Sequence, residues 1–255
     1  MALLIHQFAI GADNLGVLIH DSETGRTATI DAGEEAPIVA ALDATGWVLS
    51  DIWITHHHSD HIAALSALKQ RYSARVVAAK ADAHRIPDID LPVSEGDVVV
   101  LGSTGFVVFE TPGHTRGHIA YYSAEAAVVF AGDTLFSLGC GRLFEGTPAE
   151  MWQSLRKLAA LPDDTALYCG HEYTLSNGRF ALRFDQGNQA LQRRMVEAES
   201  LRAKGQWTIP STIGIEKATN PFLRADDPRL AEAVGLQGHP AIEVFAALRE
   251  AKNKG

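Results

Sequence analysis

Through its first two thirds, the chain carries its apolar residues in short runs. LLIHQFAI, LGVLIHD and TATIDAG are apolar or alternating and are broken by Gly, Asn and Asp. That is the pattern of strands closed by turns. APIVAALDATG reads differently and predicts a helix ending at Gly46. DIWIT then predicts a strand and IAALSALKQRY a helix, and ARVVAAK, DVVVLG, FVVFETPG, IAYYS and AVVFAGD predict further strands. In TPAEMWQSLRKLAAL, Thr147, Pro148 and Glu150 form a capping-box pattern with Pro at the first helical position. Met151, Trp152, Leu155, Leu158 and Ala159 recur there at helical spacing. TALYCGH predicts a last short strand.

After about residue 175 the pattern changes. NQALQRRMVEAESLRAKG and HPAIEVFAALREAK are helical, and TIPSTIGIEKATNPFLRADDP reads as a long irregular connection rich in Pro, Gly and Thr. No internal repeat or low-complexity tract is visible. Two layers of short strands with outer helices, then a helical tail, predict an α/β sandwich followed by a smaller C-terminal helical domain. The expected domains are residues 1–174 and 175–255.

Composition narrows the function classes. At 255 residues and 46% apolar, the chain can bury a sizeable core, and no apolar run has the length of a membrane span. The start MALLIHQFAIGADN lacks a basic n-region and reads as a first strand rather than a signal peptide, so a cytoplasmic location is expected. Cys140 and Cys169 make no disulfide framework and are expected to be reduced, buried small residues. The net charge of −9 argues against nucleic acid as a partner. It does not exclude a small anion, because local basic residues can bind one. Neither a membrane nor a nucleic acid is expected as a partner, and a monomer is expected.

The candidate chemistry begins at THHHSDHI, where DIWI hands over to the next helix. Histidines and an aspartate stand there in the pattern H-x-H-x-D-H: His56, His58, Asp60 and His61. In extended chain alternate residues point to one side, so His56 and His58 can reach one ion together. Asp60 and His61 begin the helix and can face a second point. The same alternation turns His57 away, which makes it a residue that packs or supports the site from behind. Three more candidates fall at strand exits next to glycines: His114 in ETPGHTRGH, Asp133 in VVFAGDT and His171 in LYCGHEY. The set of seven offers imidazole and carboxylate donors enough for two divalent metal ions. These donors suit zinc, iron or manganese.

These segments resemble the metallo-β-lactamase superfamily, which implies an αββα sandwich. The resemblance assigns His56, His58 and His114 to one metal and Asp60, His61 and His171 to the other, with Asp133 bridging. It makes Asp31 in TIDAG a supporting aspartate and His118 in TRGH a supporting histidine. GCGRLFEGTPAEMWQSL, CGHEYT, EKATNPFLR and LREAKN further resemble the glyoxalase II (hydroxyacylglutathione hydrolase) family. That likeness implies hydrolysis of S-(2-hydroxyacyl)glutathione, with S-D-lactoylglutathione as the thioester, by a hydroxide shared between two metals, zinc being expected. Asp60 and Asp133 would orient the hydroxide, and the first domain would be catalytic. Arg142, Tyr173, Arg249 and Lys252 would bind the glutathione part, whose carboxylates pair with Arg and Lys. Arg249 and Lys252 are spaced to share a helix face.

The chain departs from the family pattern at Phe144, where an aromatic hydroxyl is common, and at Ala63 and Ala64, where glycines are usual. A single-iron glutathione persulfide dioxygenase is the alternative enzyme. A non-catalytic protein that captures glutathione conjugates is the alternative of another class.

Overall fold

The computed structural model describes residues 3–254. The chain forms two compact units. One runs to Glu110 and includes Thr115–Gly132, and the other takes Thr111–His114 and the chain from Asp133 onward.

In the first unit, β1 (Leu3–Ile10), β2 (Asn14–Asp21) and β3 (Arg26–Ile30) form an antiparallel meander. Helix α1 (Glu35–Thr45) then crosses to β4 (Leu49–Trp53), parallel to β3. It ends at Gly46, whose φ of 71° is the left-handed cap the sequence predicts. Helices α2 (Ser59–Ile62) and α3 (Leu65–Tyr72) lead to β5 (Arg75–Ala79), and β6 (Leu91–Val93) completes the sheet in the order β1-β2-β3-β4-β5-β6. A second, antiparallel layer contains β7 (Val98–Leu101), β8 (Thr104–Glu110), β9 (Ile119–Ser123) and β10 (Val128–Phe130).

Strand alternation sorts the core. Ile52 and Ile54 face one side and pack with Ile38, Leu42, Leu65 and Leu68 of the helices. Trp53, between them in sequence, faces the second layer. Its ring lies edge-on to Phe106 at 5.0 Å and 5.2 Å from Tyr121. The Tyr121 hydroxyl donates to Ile54 O at 2.9 Å, which ties one layer to the other.

The helix expected after the histidine cluster is broken in two. Ala32 N donates to His61 O at 2.7 Å, and Ala64 N donates to Ala32 O at 2.8 Å. Those peptide groups bond the strand exit, so they are lost to the helical ladder. Ala63 is exposed and Ala64 is buried in the core.

The second unit starts with a small hairpin, β11 (Leu135–Phe136) and β12 (Gly139–Cys140). Helix α4 (Pro148–Ala159) follows, with the predicted capping box: Glu150 N donates to Thr147 Oγ1, and Thr147 N donates to Glu150 Oε2. Then come β13 (Ala166–Tyr168), α5 (Thr174–Phe184), α6 (Gln189–Ala203), β14 (Ser211–Thr212), α7 (Ile213–Thr219), α8 (Pro228–Ala233) and α9 (Ala241–Asn253).

TALYCGH is therefore not the last strand, since β14 pairs antiparallel with β13. Nor is TIPSTIGIEKATNPFLRADDP irregular, because it contains β14 and α7. Ile, Thr and Gly give α7 poor intrinsic propensity. It forms because the Thr212 hydroxyl caps Ile215 N, because Ile213 is fully buried, and because Leu138 N and the Ser211 hydroxyl satisfy the buried Glu216 side chain. Helix α5 was also unforeseen: no side chain caps it, and its Gly178 packs against Met195 of α6. The architecture is the α/β fold with a helical C-terminal region that the strand pattern predicts. Both cysteines are free and buried. Among the described residues, no helix is long and apolar enough to cross a membrane.

Candidate metal centre

In the first unit, β4 delivers Thr55 and the histidine cluster to the sheet edge. Asp31, just past β3, lies behind them at a φ of 61°, a left-handed conformation uncommon outside glycine. Its carboxylate accepts from Thr55 N at 2.7 Å and from the Thr55 hydroxyl at 2.9 Å. It also accepts from His61 Nδ1 at 2.8 Å. That bond places the His61 proton on Nδ1, so in the neutral ring Nε2 carries a lone pair. Asp60 Oδ2 lies 3.4 Å from this Nε2. The Asn14 amide donates to Asp60 Oδ2 at 3.1 Å.

His56 is fully buried, and its Nε2 is 3.1 Å from His58 Nδ1. One face of its ring stacks on His118 at 5.0 Å. Ligand atoms of His56 and His58, of His56 and His61, and of Asp60 and His61 lie within 4.8 Å of each other. His57 turns away, as alternation predicts. Its Nδ1 is 3.2 Å from Asp82 Oδ2 and its Nε2 is 3.3 Å from Arg85 Nη1. Gly132, at a φ of 46°, backs the cluster: a Cβ there would come within 2.6 Å of the Thr55 hydroxyl and 2.7 Å of His118 Nε2.

In the second unit, His114 Nδ1 is 2.7 Å from Arg142 O. A carbonyl only accepts, so this nitrogen carries the proton and Nε2 carries the lone pair in the neutral ring. That Nε2 lies 3.3 Å from Asp133 Oδ2, and His171 Nε2 lies 3.4 Å from the same oxygen. A carboxylate oxygen between two imidazole nitrogens, one fixed as an acceptor, is a donor set suited to a divalent cation. His114, Asp133 and His171 are all buried. Gly141 packs so closely on Asp133 O that any side chain would overlap it.

The expected substrate residues also lie in this unit. Tyr173 stacks on His171 at 4.7 Å, with the rings 4° from parallel. Arg142 is exposed, with its guanidinium 5.8 Å from the Phe144 ring centre. Phe144 is 59% exposed and stands edge-on to His114 at 5.3 Å. Lys252 Nζ donates to Ser176 O at 3.2 Å; burial, and then the charge of Arg249, pull its pKa down to about 8. Arg249 is buried, donates to Cys140 O at 2.9 Å and lies over Phe222. Asn14, Asp82 and Arg85 were not foreseen as partners of the cluster. They are distant in sequence from what they hold, and no local pattern marks them.

An αββα fold bearing histidines and aspartates at its strand exits defines a metal-binding protein of the Metallo-beta-lactamase superfamily, whose family model matches residues 17–171. A second model, Hydroxyacylglutathione hydrolase C-terminus, matches residues 172–255. The chain belongs to the hydroxyacylglutathione hydrolase family. It is 55% identical to the hydroxyacylglutathione hydrolase of Rhodopseudomonas palustris (strain BisA53) over 254 residues, covering 100% of both chains. It is 52% identical to that of Ruegeria pomeroyi, covering 95% of each. Among solved structures it is similar to ETHE1 from Myxococcus xanthus, with a TM-score of 0.69 and 27% identity over 99% of this chain and 100% of that one.

Proposed function

We propose that the protein hydrolyses S-(2-hydroxyacyl)glutathione thioesters, S-D-lactoylglutathione foremost, to glutathione and the 2-hydroxy acid. The observation that carries this reading is the end-to-end likeness to hydroxyacylglutathione hydrolases, including residues 172–255. That C-terminal match favours the hydrolase over the single-iron persulfide dioxygenase.

Two divalent ions fit the donors. His56, His58 and His114 would hold one, Asp60, His61 and His171 the other, and Asp133 both, with zinc first and iron or manganese as alternatives. When bound, such ions lower the pKa of water toward neutrality and stabilise charge developing on a carbonyl oxygen. The chain's own residues do the rest. Asp31 keeps His61 in its ligating tautomer, Arg142 O does the same for His114, and His118 supports the His56 ring. Asp60 and Asp133, as carboxylates, orient the attacking oxygen. Arg142, Tyr173, Arg249 and Lys252 bind the glutathione portion, the last two from one helix. The leaving group is a thiolate, stable enough to depart without a strong general acid. In this reading residues 1–174 carry the chemistry and residues 175–255 the substrate-binding helices.

The test is to load the purified protein with zinc and follow the loss of thioester absorbance with S-D-lactoylglutathione. Turnover is expected. A fully metallated sample that leaves this thioester intact, yet consumes oxygen with glutathione persulfide under iron, would replace the reading with the dioxygenase.

A further inference from the structure

EKATNPFLR stands out in the sequence yet supplies no ligand. In the structure its Glu216 and Asn220 are fully buried, and both act on the tight turn between β11 and β12. Leu138 in that turn has a φ of 59°. Buried side chains take up the turn's peptide groups one after another. Leu138 N donates to Glu216 Oε2 at 2.7 Å. Asn220 Nδ2 donates to Phe136 O at 3.1 Å and to Gly139 O at 2.9 Å. Asn177 Nδ2 donates to Ser137 O at 3.0 Å, and Arg249 Nη1 to Cys140 O. Glu216 is itself held by the Ser211 hydroxyl at 2.5 Å and by Asn220 Nδ2 at 3.1 Å. Burial raises its carboxyl pKa.

A hairpin with two-residue strands and a non-glycine residue at positive φ does not hold its shape unaided. Its shape matters because of what it joins. The turn leads from Asp133 toward Arg142, and Phe136 stands edge-on to His171 at 5.9 Å and to Tyr173 at 5.5 Å. Freeing the turn frees Phe136 and, with it, the Tyr173 ring.

We propose that Glu216 and Asn220 are positioning residues that clamp the Phe136–Cys140 turn and so keep Tyr173 and Arg142 placed for the glutathione portion of the substrate. They do this without touching the substrate themselves. The proposal rests on the hydrolase reading above.

It is tested with zinc-loaded Glu216→Ala, Asn220→Ala and Glu216→Gln. Binding of an unreactive S-alkylglutathione thioether is measured by calorimetry. KM and kcat for S-D-lactoylglutathione are normalised to folded, metal-loaded protein. Both alanine variants should weaken thioether binding and raise KM about tenfold, with kcat changed by less than about threefold. Glu216→Gln should restore both values, since its carbonyl oxygen still accepts from Leu138 N and its amide donates to the Ser211 hydroxyl. Unchanged affinity and KM in folded alanine variants overturn the proposal, and so does a glutamine variant as weak as the alanine one. If neither alanine variant folds, Glu216→Asp keeps the carboxylate but withdraws it from Leu138. It must then show the raised KM, and a normal value overturns the clamp. Wild-type protein that binds the thioether without turning over S-D-lactoylglutathione counts against the hydrolase reading alone.

Discussion

The Asp31 carboxylate accepts from His61 Nδ1 at 2.8 Å while also accepting from the backbone N–H of Thr55. One side chain thus orients a candidate ligand and pins the strand exit from which the histidine cluster departs. Asp31→Asn keeps a residue that tolerates positive φ but removes the charge facing His61. It should lower metal affinity about 10–100-fold, the usual effect of losing a partner behind a ligating histidine. Competition with a chelator measures this, and unchanged affinity would show that His61 needs no such support.

His57 and His58 are neighbours with opposite surroundings. His57 faces Asp82 and Arg85, whereas His58 faces His56. His57→Ala should therefore retain the full metal content, and His58→Ala should lose metal. Equal losses by elemental analysis would contradict the assignment.

Asp133 Oδ2 lies between His114 Nε2 and His171 Nε2. Asp133→Ala removes the oxygen proposed to serve both ions, so most bound metal should go and thioester turnover with it. A variant that retains two metal equivalents would disprove the shared ligand. Chelation of the wild-type protein should abolish turnover, and zinc should restore it.

Lys252 titrates near 8 in the folded chain because it is partly desolvated and lies close to Arg249. Below that pH it is charged and attracts a substrate carboxylate; above it the charge is lost. KM should therefore rise as pH passes about 8, and Lys252→Met should flatten this rise while raising KM at neutral pH. Stability moves in the opposite sense. An unfolded lysine keeps its proton to about pH 10.4. Between the two values the unfolded chain binds more protons, so the folded state gains stability with rising pH, and the burial penalty is complete below the folded pKa. A melting series across that window, flat in Lys252→Met, checks the sign.

Much of the chain through α4 was legible because its signals are local. Alternation marks the strands that hold Ile52 and Trp53 on opposite faces, Gly46 marks a helix end, and Thr147 with Glu150 marks a helix start. The candidate ligands were legible for a similar reason: a dense run of imidazoles and carboxylates at a strand exit is costly to bury unless a cation pairs them. In the C-terminal third local signals mark α6 and α9 but fail elsewhere. Ile213 to Thr219 has poor helical propensity and folds as α7 because the Thr212 cap, burial of Ile213 and the hydrogen bonds that hold Glu216 outweigh it. The helix after the histidine cluster reads as continuous, yet two hydrogen bonds to Ala32 break it.

By itself, then, the sequence determined the strand-rich architecture, the donor types at the strand exits and the family likeness. These depend on side-chain chemistry and on spacings of a few residues. Only the tertiary structure decided which nitrogen of His61 and His114 carries a proton, and that His57 belongs to Asp82. It also decided that Arg249, on one helix face with Lys252, is buried against Cys140 O, and that Glu216 and Asn220 hold the turn after Asp133. Each of these joins groups far apart along the chain. Hydrogen-bond geometry between such groups exists only once the backbone has brought them within about 3 Å, and no local pattern encodes that distance.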